Sequence, residues 1–196
     1  MKNVIIENNI CLNNQAQICN LEGNAANGYS EISDIIFRNN IFVNIYYQAN
    51  CYAAKCKWYN NTFYKCSIGP GAFSHVLLIA GPMSEIKNNL FIECGPSGAF
   101  TTYGFYVIDA LATGSIADYN YVAGRNNFDS KTNFTEVHGI NGGDPKFVNI
   151  AKNNFRLLLG SNAIDKGTTI NGLNTDIEGT QRPKGNANDI GAYEFK

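Results

Sequence analysis

The stretch SEIKNNLFIECG, residues 84–95, decides the fold. It sets two adjacent asparagines between apolar residues. The same arrangement recurs as VIIENNICLNNQ (4–15), DIIFRNNIFVNI (34–45) and CKWYNNTFYKCS (56–67). Adjacent asparagines suit neither strand nor helix, because their amides compete with the backbone for hydrogen bonds. Four such pairs therefore mark a repeated turn. Aligned on the first asparagine, the markers are Asn8, Asn39, Asn60 and Asn88, and a degenerate copy, SIADYNYVAG (115–124), puts Asp118 in the same column.

Two residues before the marker stand Ile6, Phe37, Trp58, Ile86 and Ile116; three after it stand Cys11, Phe42, Phe63, Phe91 and Tyr121. Both columns are apolar, while the column one before the marker is mostly polar. That is period-two alternation, a turn, and a second short apolar segment, which is a strand pattern. The spacings of 31, 21, 28 and 30 residues fit stacked coils that share a cross-section and differ in one loop. The expected fold is all-β: a right-handed parallel β-helix of about five coils over residues 1–124, closed by a C-terminal cap over 125–196 in the same domain. In such a stack like residues lie over like. The asparagine column then forms a ladder of side-chain amides, with the second asparagine of each pair expected to take the left-handed turn. NLEGNAANGYS (20–30) reads as turns, and SHVLLIAG (74–81) and FYVIDALATG (105–114) as further strands.

Composition agrees. Charged residues make up only 16% of 196 residues, and 29 asparagines and 19 glycines supply the polarity and the turns. A net charge of -1 leaves no electrostatic footprint for nucleic acid. The longest apolar runs are too short to span a bilayer, and Glu7, Asn8 and Asn9 interrupt any secretion-signal core at the start. The six cysteines form no CxxC pair, so they read as buried free thiols: Cys66 and Cys94 share one column, and Cys11 stands in the phenylalanine column.

After residue 124 a different pattern begins: GGDPKFVN, NNFRLLLGSNAIDKG, DIEGTQRP and NDIGAYEF. Asp144–Phe147, Phe155–Gly167 and Asp189–Glu194 resemble the ending of right-handed parallel β-helix proteins of the pectate-lyase-like superfamily. Within it, they are similar to bacterial secreted or surface polysaccharide-associated proteins. The resemblance implies an extracellular or cell-surface location, a polysaccharide or oligosaccharide partner, and more coils ahead of this ending. The uncapped first coil is then expected to pair with a second copy.

A lyase of this superfamily needs a basic side chain to take a proton next to a uronate carboxylate, and a cation to hold the resulting charge. No clean cluster of that kind stands out. The nearest approach is the outward face beside the turn, where Arg38, Tyr59 and Lys87 share one column and Lys57 and Glu85 another. These five are the candidate carbohydrate contacts, with Tyr59 as a stacking platform; a solvated strand face is the plainer reading of the same mixture. Trp58 belongs to the core column. His75 and His138 show no carboxylate partner at motif spacing. No cofactor or metal is expected. Asp144, Asp165, Asp176, Glu178 and Asp189 offer oxygen ligands for calcium, but a cap in which Arg182 pairs with Asp189 or Glu194 accounts for them more simply. Three functions remain open: a glycan-binding module, part of a polysaccharide lyase or glycosidase whose active site lies partly in preceding coils, and a structural stalk.

Overall fold

The computed structural model describes residues 1–22, 32–72, 75–95, 111–123 and 136–196, and the backbone of 103–107. The expected boundary at 124–125, most of the turn-rich loop and Ile108–Ala110 lie outside the described residues.

The first coil consists of β1 (Lys2–Glu7), β2 (Ile10–Leu12) and β3 (Asn20–Leu21), and the second of β4 (Ser33–Arg38), β5 (Ile41–Ile45) and β6 (Ala49–Cys51). The third holds β7 (Lys57–Tyr59), β8 (Thr62–Cys66) and β9 (His75–Ile79), and the fourth β10 (Glu85–Lys87), β11 (Leu90–Ile92) and β12 (Tyr103–Val107). β13 (Ile116–Asp118), β14 (Tyr121–Ala123) and β15 (Ile140–Asn141) end the stack. Three parallel sheets result, ordered β1-β4-β7-β10-β13, β2-β5-β8-β11-β14-β15 and β3-β6-β9-β12. The chain is a parallel β-solenoid of about three full turns with a looser turn at each end. That is slightly fewer than the roughly five coils expected. In the first coil Ile5, Ile10 and Leu12 are exposed, and the last turn supplies no strand to the third sheet among the described residues.

The interior is a set of stacked columns. Phe37 lies flat on Trp58 at 3.9 Å, and Phe42, Phe63 and Phe91 stack at 5.1 and 4.8 Å. Trp58 is fully buried, as its column requires. Register places Cys11 over Phe42, and Ile45 over Cys66. All six cysteines are free, but only Cys51, Cys56, Cys66 and Cys94 are buried as expected; Cys11 is exposed and Cys19 half-buried in the first coil. Burial pushes the Cys51 and Cys66 thiols up.

Every described coil bends at left-handed residues spaced five apart. One column of bends is Asn3, Asp34, Lys55, Met83 and Gly114; the next is Asn8, Asn39, Asn60, Asn88 and Tyr119; the third is Asn13, Asn44, Lys65 and Glu93. The first asparagine of each pair therefore takes the left-handed bend, where the reading from sequence gave it to the second. Asparagine tolerates this conformation because its short amide bonds locally.

The second asparagine makes the ladder. Asn40, Asn61, Asn89 and Asn120 each donate through Nδ2 to a carbonyl of the coil before, those of Ile6, Phe37, Trp58 and Ile86, at 2.8–2.9 Å. Asn9, Asn40, Asn61 and Asn89 also donate to the Oδ1 of the next rung at 2.9–3.1 Å. Glu136 ends the series: its two carboxylate oxygens accept from Asn120 N and Nδ2 at 3.0 and 3.1 Å. The fifth copy is also shifted by one residue. Lys87 pairs with Asp118 and Ile86 with Ala117, so Tyr119 holds the bend and Ile116 points outward, about half exposed.

The C-terminal segment runs back along the flank of the stack. β16 (Phe147–Asn149) and β17 (Asn154–Leu157) form an antiparallel hairpin around one 3-10 turn, Ile150–Lys152. Beyond it the strap is irregular and is held by the side chains of the bends. Asn39 Nδ2 donates to Thr175 O at 2.8 Å, Asn60 Nδ2 to Asp189 O at 2.9 Å and Asn88 Nδ2 to Thr168 O at 2.7 Å. Apolar strap residues Phe155, Leu157, Ala163, Ile190 and Ala192 cover Ile41, Val43, Leu90 and Ile92, the outward residues of the second sheet. Arg182 is buried at the centre. It donates to the Glu194 carboxylate, to Gly191 O at 2.8 Å and to Asn39 Oδ1 at 3.3 Å. Glu194 in turn accepts from Asp189 N at 2.9 Å, and Asp176 from Glu194 N at 3.0 Å. Residues 176–195 thus form one polar knot around Arg182.

Candidate functional site

Where the strap crosses the first sheet it leaves a cleft of about 380 Å³. Its walls are Ile36, Arg38, Lys57, Tyr59, Glu85 and Lys87 on the sheet, and Thr169, Ile170 and Asn171 on the strap. All five residues singled out from the sequence line this one cleft. The cause is register: Arg38, Tyr59 and Lys87 are consecutive partners across β4, β7 and β10, and Lys57 faces Glu85. The strap residues carry no motif, and only the folded chain brings them there.

The cations are paired within the cleft. Arg38 Nε donates to Glu7 Oε2 at 2.5 Å and its Nη1 to Gly172 O at 3.0 Å. Glu85 joins both lysines, with Lys87 Nζ at 2.8 Å from Oε2 and Lys57 Nζ at 3.6 Å from Oε1. Burial pushes the Glu85 carboxyl up, but hydrogen bonds from Lys87 and Tyr59 and the charge of Lys57 outweigh it and hold it below the usual range. The Tyr59 phenol is raised well above its ordinary value, first by burial and then by Glu85. Its ring packs with Ile170 and Leu173 and is only 6% exposed. Tyr59 is therefore not the open stacking platform expected; the strap already occupies its face.

A second cleft of about 410 Å³ adjoins the first, sharing Lys87, and is lined by Ser115, Ile116, Ala117, Asp118, Tyr119, Val137 and Thr168. At its edge Asp118 grips His138: Oδ1 accepts from the His138 backbone N–H at 2.7 Å, and Oδ2 lies 2.7 Å from Nδ1. The imidazole stacks on Tyr119 at 4.3 Å. His138 thus has the carboxylate partner that its sequence surroundings did not reveal, because the two lie 20 residues apart. Burial favours a neutral Asp118, yet the bonds from His138 and Tyr119 prevail and lower its carboxyl. His75 is enclosed in β9, where burial pushes its imidazole down to about 4.

Among the described residues no group of three or more histidine, cysteine or acidic side chains is arranged to hold a metal ion. Of the acids considered as calcium ligands, Glu178 accepts from the Arg156 and Lys196 side chains, Asp144 accepts from Lys146 N, and the other three also accept from backbone N–H groups. Asp165 accepts from Ala187 N, Asp176 from Glu178 N and Thr180 N, and Asp189 from Asp165 N and Phe195 N. Among the described residues no helix is long and apolar enough to cross a membrane. No family model matches the chain, and no curated protein aligns with it significantly.

Proposed function

We propose that the chain is an extracellular polysaccharide-associated β-helix module, of the kind found in the pectate-lyase-like superfamily, and that it binds carbohydrate on its lateral face. The observation that carries the reading is the cleft between first sheet and strap, where Arg38, Lys57, Glu85 and Lys87 meet Thr169 and Asn171. Its polar groups are fixed by ion pairs and strand register before any ligand arrives, which lowers the entropic cost of binding. Its ionisable groups suit binding better than acid–base catalysis, since Glu85 is held ionised and Tyr59 held protonated at neutral pH.

The test is a glycan array followed by titration calorimetry on the wild type and on Lys57→Ala and Asn171→Ala, both at the rim of the cleft. The expected result is binding that leaves the polymer intact and weakens about tenfold or more in each variant. Binding unchanged in both variants, or no binding to any glycan, would defeat the proposal.

A further inference from the structure

We infer that the cleft selects uncharged oligosaccharides over polyuronates, an inference that rests on the glycan-binding reading above. Three cations and three anions share the two outward columns. Glu7 is followed by Arg38, Lys87 by Asp118, and Lys57 faces Glu85. Each cation already has an anionic neighbour: Arg38 has Glu7, and Lys57 and Lys87 share the two oxygens of Glu85. Parallel strands lie about 4.8 Å apart. A uronate carboxylate hydrogen-bonded to either lysine would therefore sit within about 6 Å of the Glu85 carboxylate, close enough to be repelled by it in the half-buried cleft.

Hydroxyl groups meet the opposite situation. Each sugar hydroxyl both donates and accepts, and the cleft offers both functions side by side. The Glu85 carboxylate accepts, the lysine ammonium groups donate, and the Asn171 amide and the Thr168 and Thr169 hydroxyls do either. Apolar ledges flank them: Ile36 and Ile170 at one end, Ile116 and Val137 at the other. Those ledges suit the C–H faces of a pyranose ring. The two clefts share Lys87 and together run across β4, β7, β10 and β13, roughly 14 Å at the strand spacing. That length suits a short oligosaccharide lying across the coils.

The experiment titrates the full chain with neutral xylo- and cello-oligosaccharides and with oligogalacturonate of equal length, in about 20 mM and about 500 mM NaCl. The expected result is binding of a neutral oligosaccharide with Kd changing less than about twofold between the two salts, and oligogalacturonate about tenfold weaker or more. Glu85→Gln, with its fold verified by circular dichroism, frees both lysines. It should weaken neutral binding about tenfold and give oligogalacturonate a salt-sensitive affinity the wild type lacks. Oligogalacturonate bound more tightly than the neutral sugars by the wild type, with affinity falling steeply in salt, overturns the selectivity while leaving glycan binding standing. Binding of neither class refutes the glycan reading and the inference together. The wild-type comparison decides the matter even where the variant fails to fold.

Discussion

Replacing Asn61 by alanine removes one rung from the middle of the ladder. Four buried hydrogen bonds go with it: two that Oδ1 accepts from Asn40 N and Nδ2, both at 3.0 Å, and two that Nδ2 donates, to Phe37 O and Asn89 Oδ1 at 2.9 Å. At about 1 kcal/mol net each, the bonds account for about 4 kcal/mol. The Asn40 N–H, left buried without that acceptor, adds about 1–3 kcal/mol. The sum is comparable with the whole stability of a typical domain, about 5–15 kcal/mol. Asn9→Ala is the matched control, because Asn9 is exposed and donates to Glu7 O and Asn40 Oδ1 in the first coil; it should cost about 1 kcal/mol or less. Urea denaturation followed by far-ultraviolet circular dichroism measures both. Equal losses in the two variants, within about 1 kcal/mol, would refute the assignment of the ladder as a cooperative, buried element.

Glu136 is pushed up by burial from 4.5 to about 7. Between those values Glu136 binds more protons in the folded chain than in the unfolded one, so its contribution to stability should fall as pH rises through the window, by at most about 3 kcal/mol. Asp189, raised by burial to about 6, acts in the same direction, and His75, pushed down to about 4, acts in the opposite one. Urea melts at about pH 5 and pH 7.5 read the slope, and Glu136→Gln should flatten it; a slope unchanged by that substitution removes Glu136 as its source. Glu194→Gln breaks a fully buried pair with Arg182 and should cost about 3–5 kcal/mol. Limited proteolysis should then cut within residues 158–196 before the coils are touched, and cleavage starting in the coils would speak against a separately anchored strap. Gly81→Ala would drive a Cβ into Ala53 O, forcing adjacent coils apart, and is expected to lower the thermal midpoint far more than Gly172→Ala, whose Cβ meets no atom within 4 Å and costs only the strain of a left-handed φ.

The stacked columns were legible because period-two alternation repeats at every marker, and one residue type per column is visible in a linear sequence. The roles inside the asparagine pair were not, since the two amides are chemically identical and only the bend decides which one turns inward. The fifth copy slipped by one for a related reason. The bend requires a backbone conformation rather than a side chain, and Tyr119 adopts it at φ 59° without looking like a turn residue. The flank occupied by the strap left a trace that alternation alone does not use. IFV, LFI and YVA in β5, β11 and β14 are apolar on both faces, which signals a sheet covered on both sides. Of the candidate site, the sheet columns could be read from the repeat. The strap wall and the His138 partner arise from contacts 20 to more than 100 residues distant in sequence, beyond the reach of local pattern.

The ladder also has a direction. From amide to amide each Nδ2 donates to the Oδ1 of the next coil while also donating to a carbonyl of the coil before, and the Glu136 carboxyl stands at the last donor. Each interior rung presents the same acceptor to the coil before and the same donor to the coil after. A duplicated block such as residues 60–87, inserted in frame after Lys87, would meet matching groups on both sides. A block placed beyond Glu136 would meet a carboxyl group in place of an amide. The chain is thus a modular rod, extendable from within and sealed at one end by a single acid.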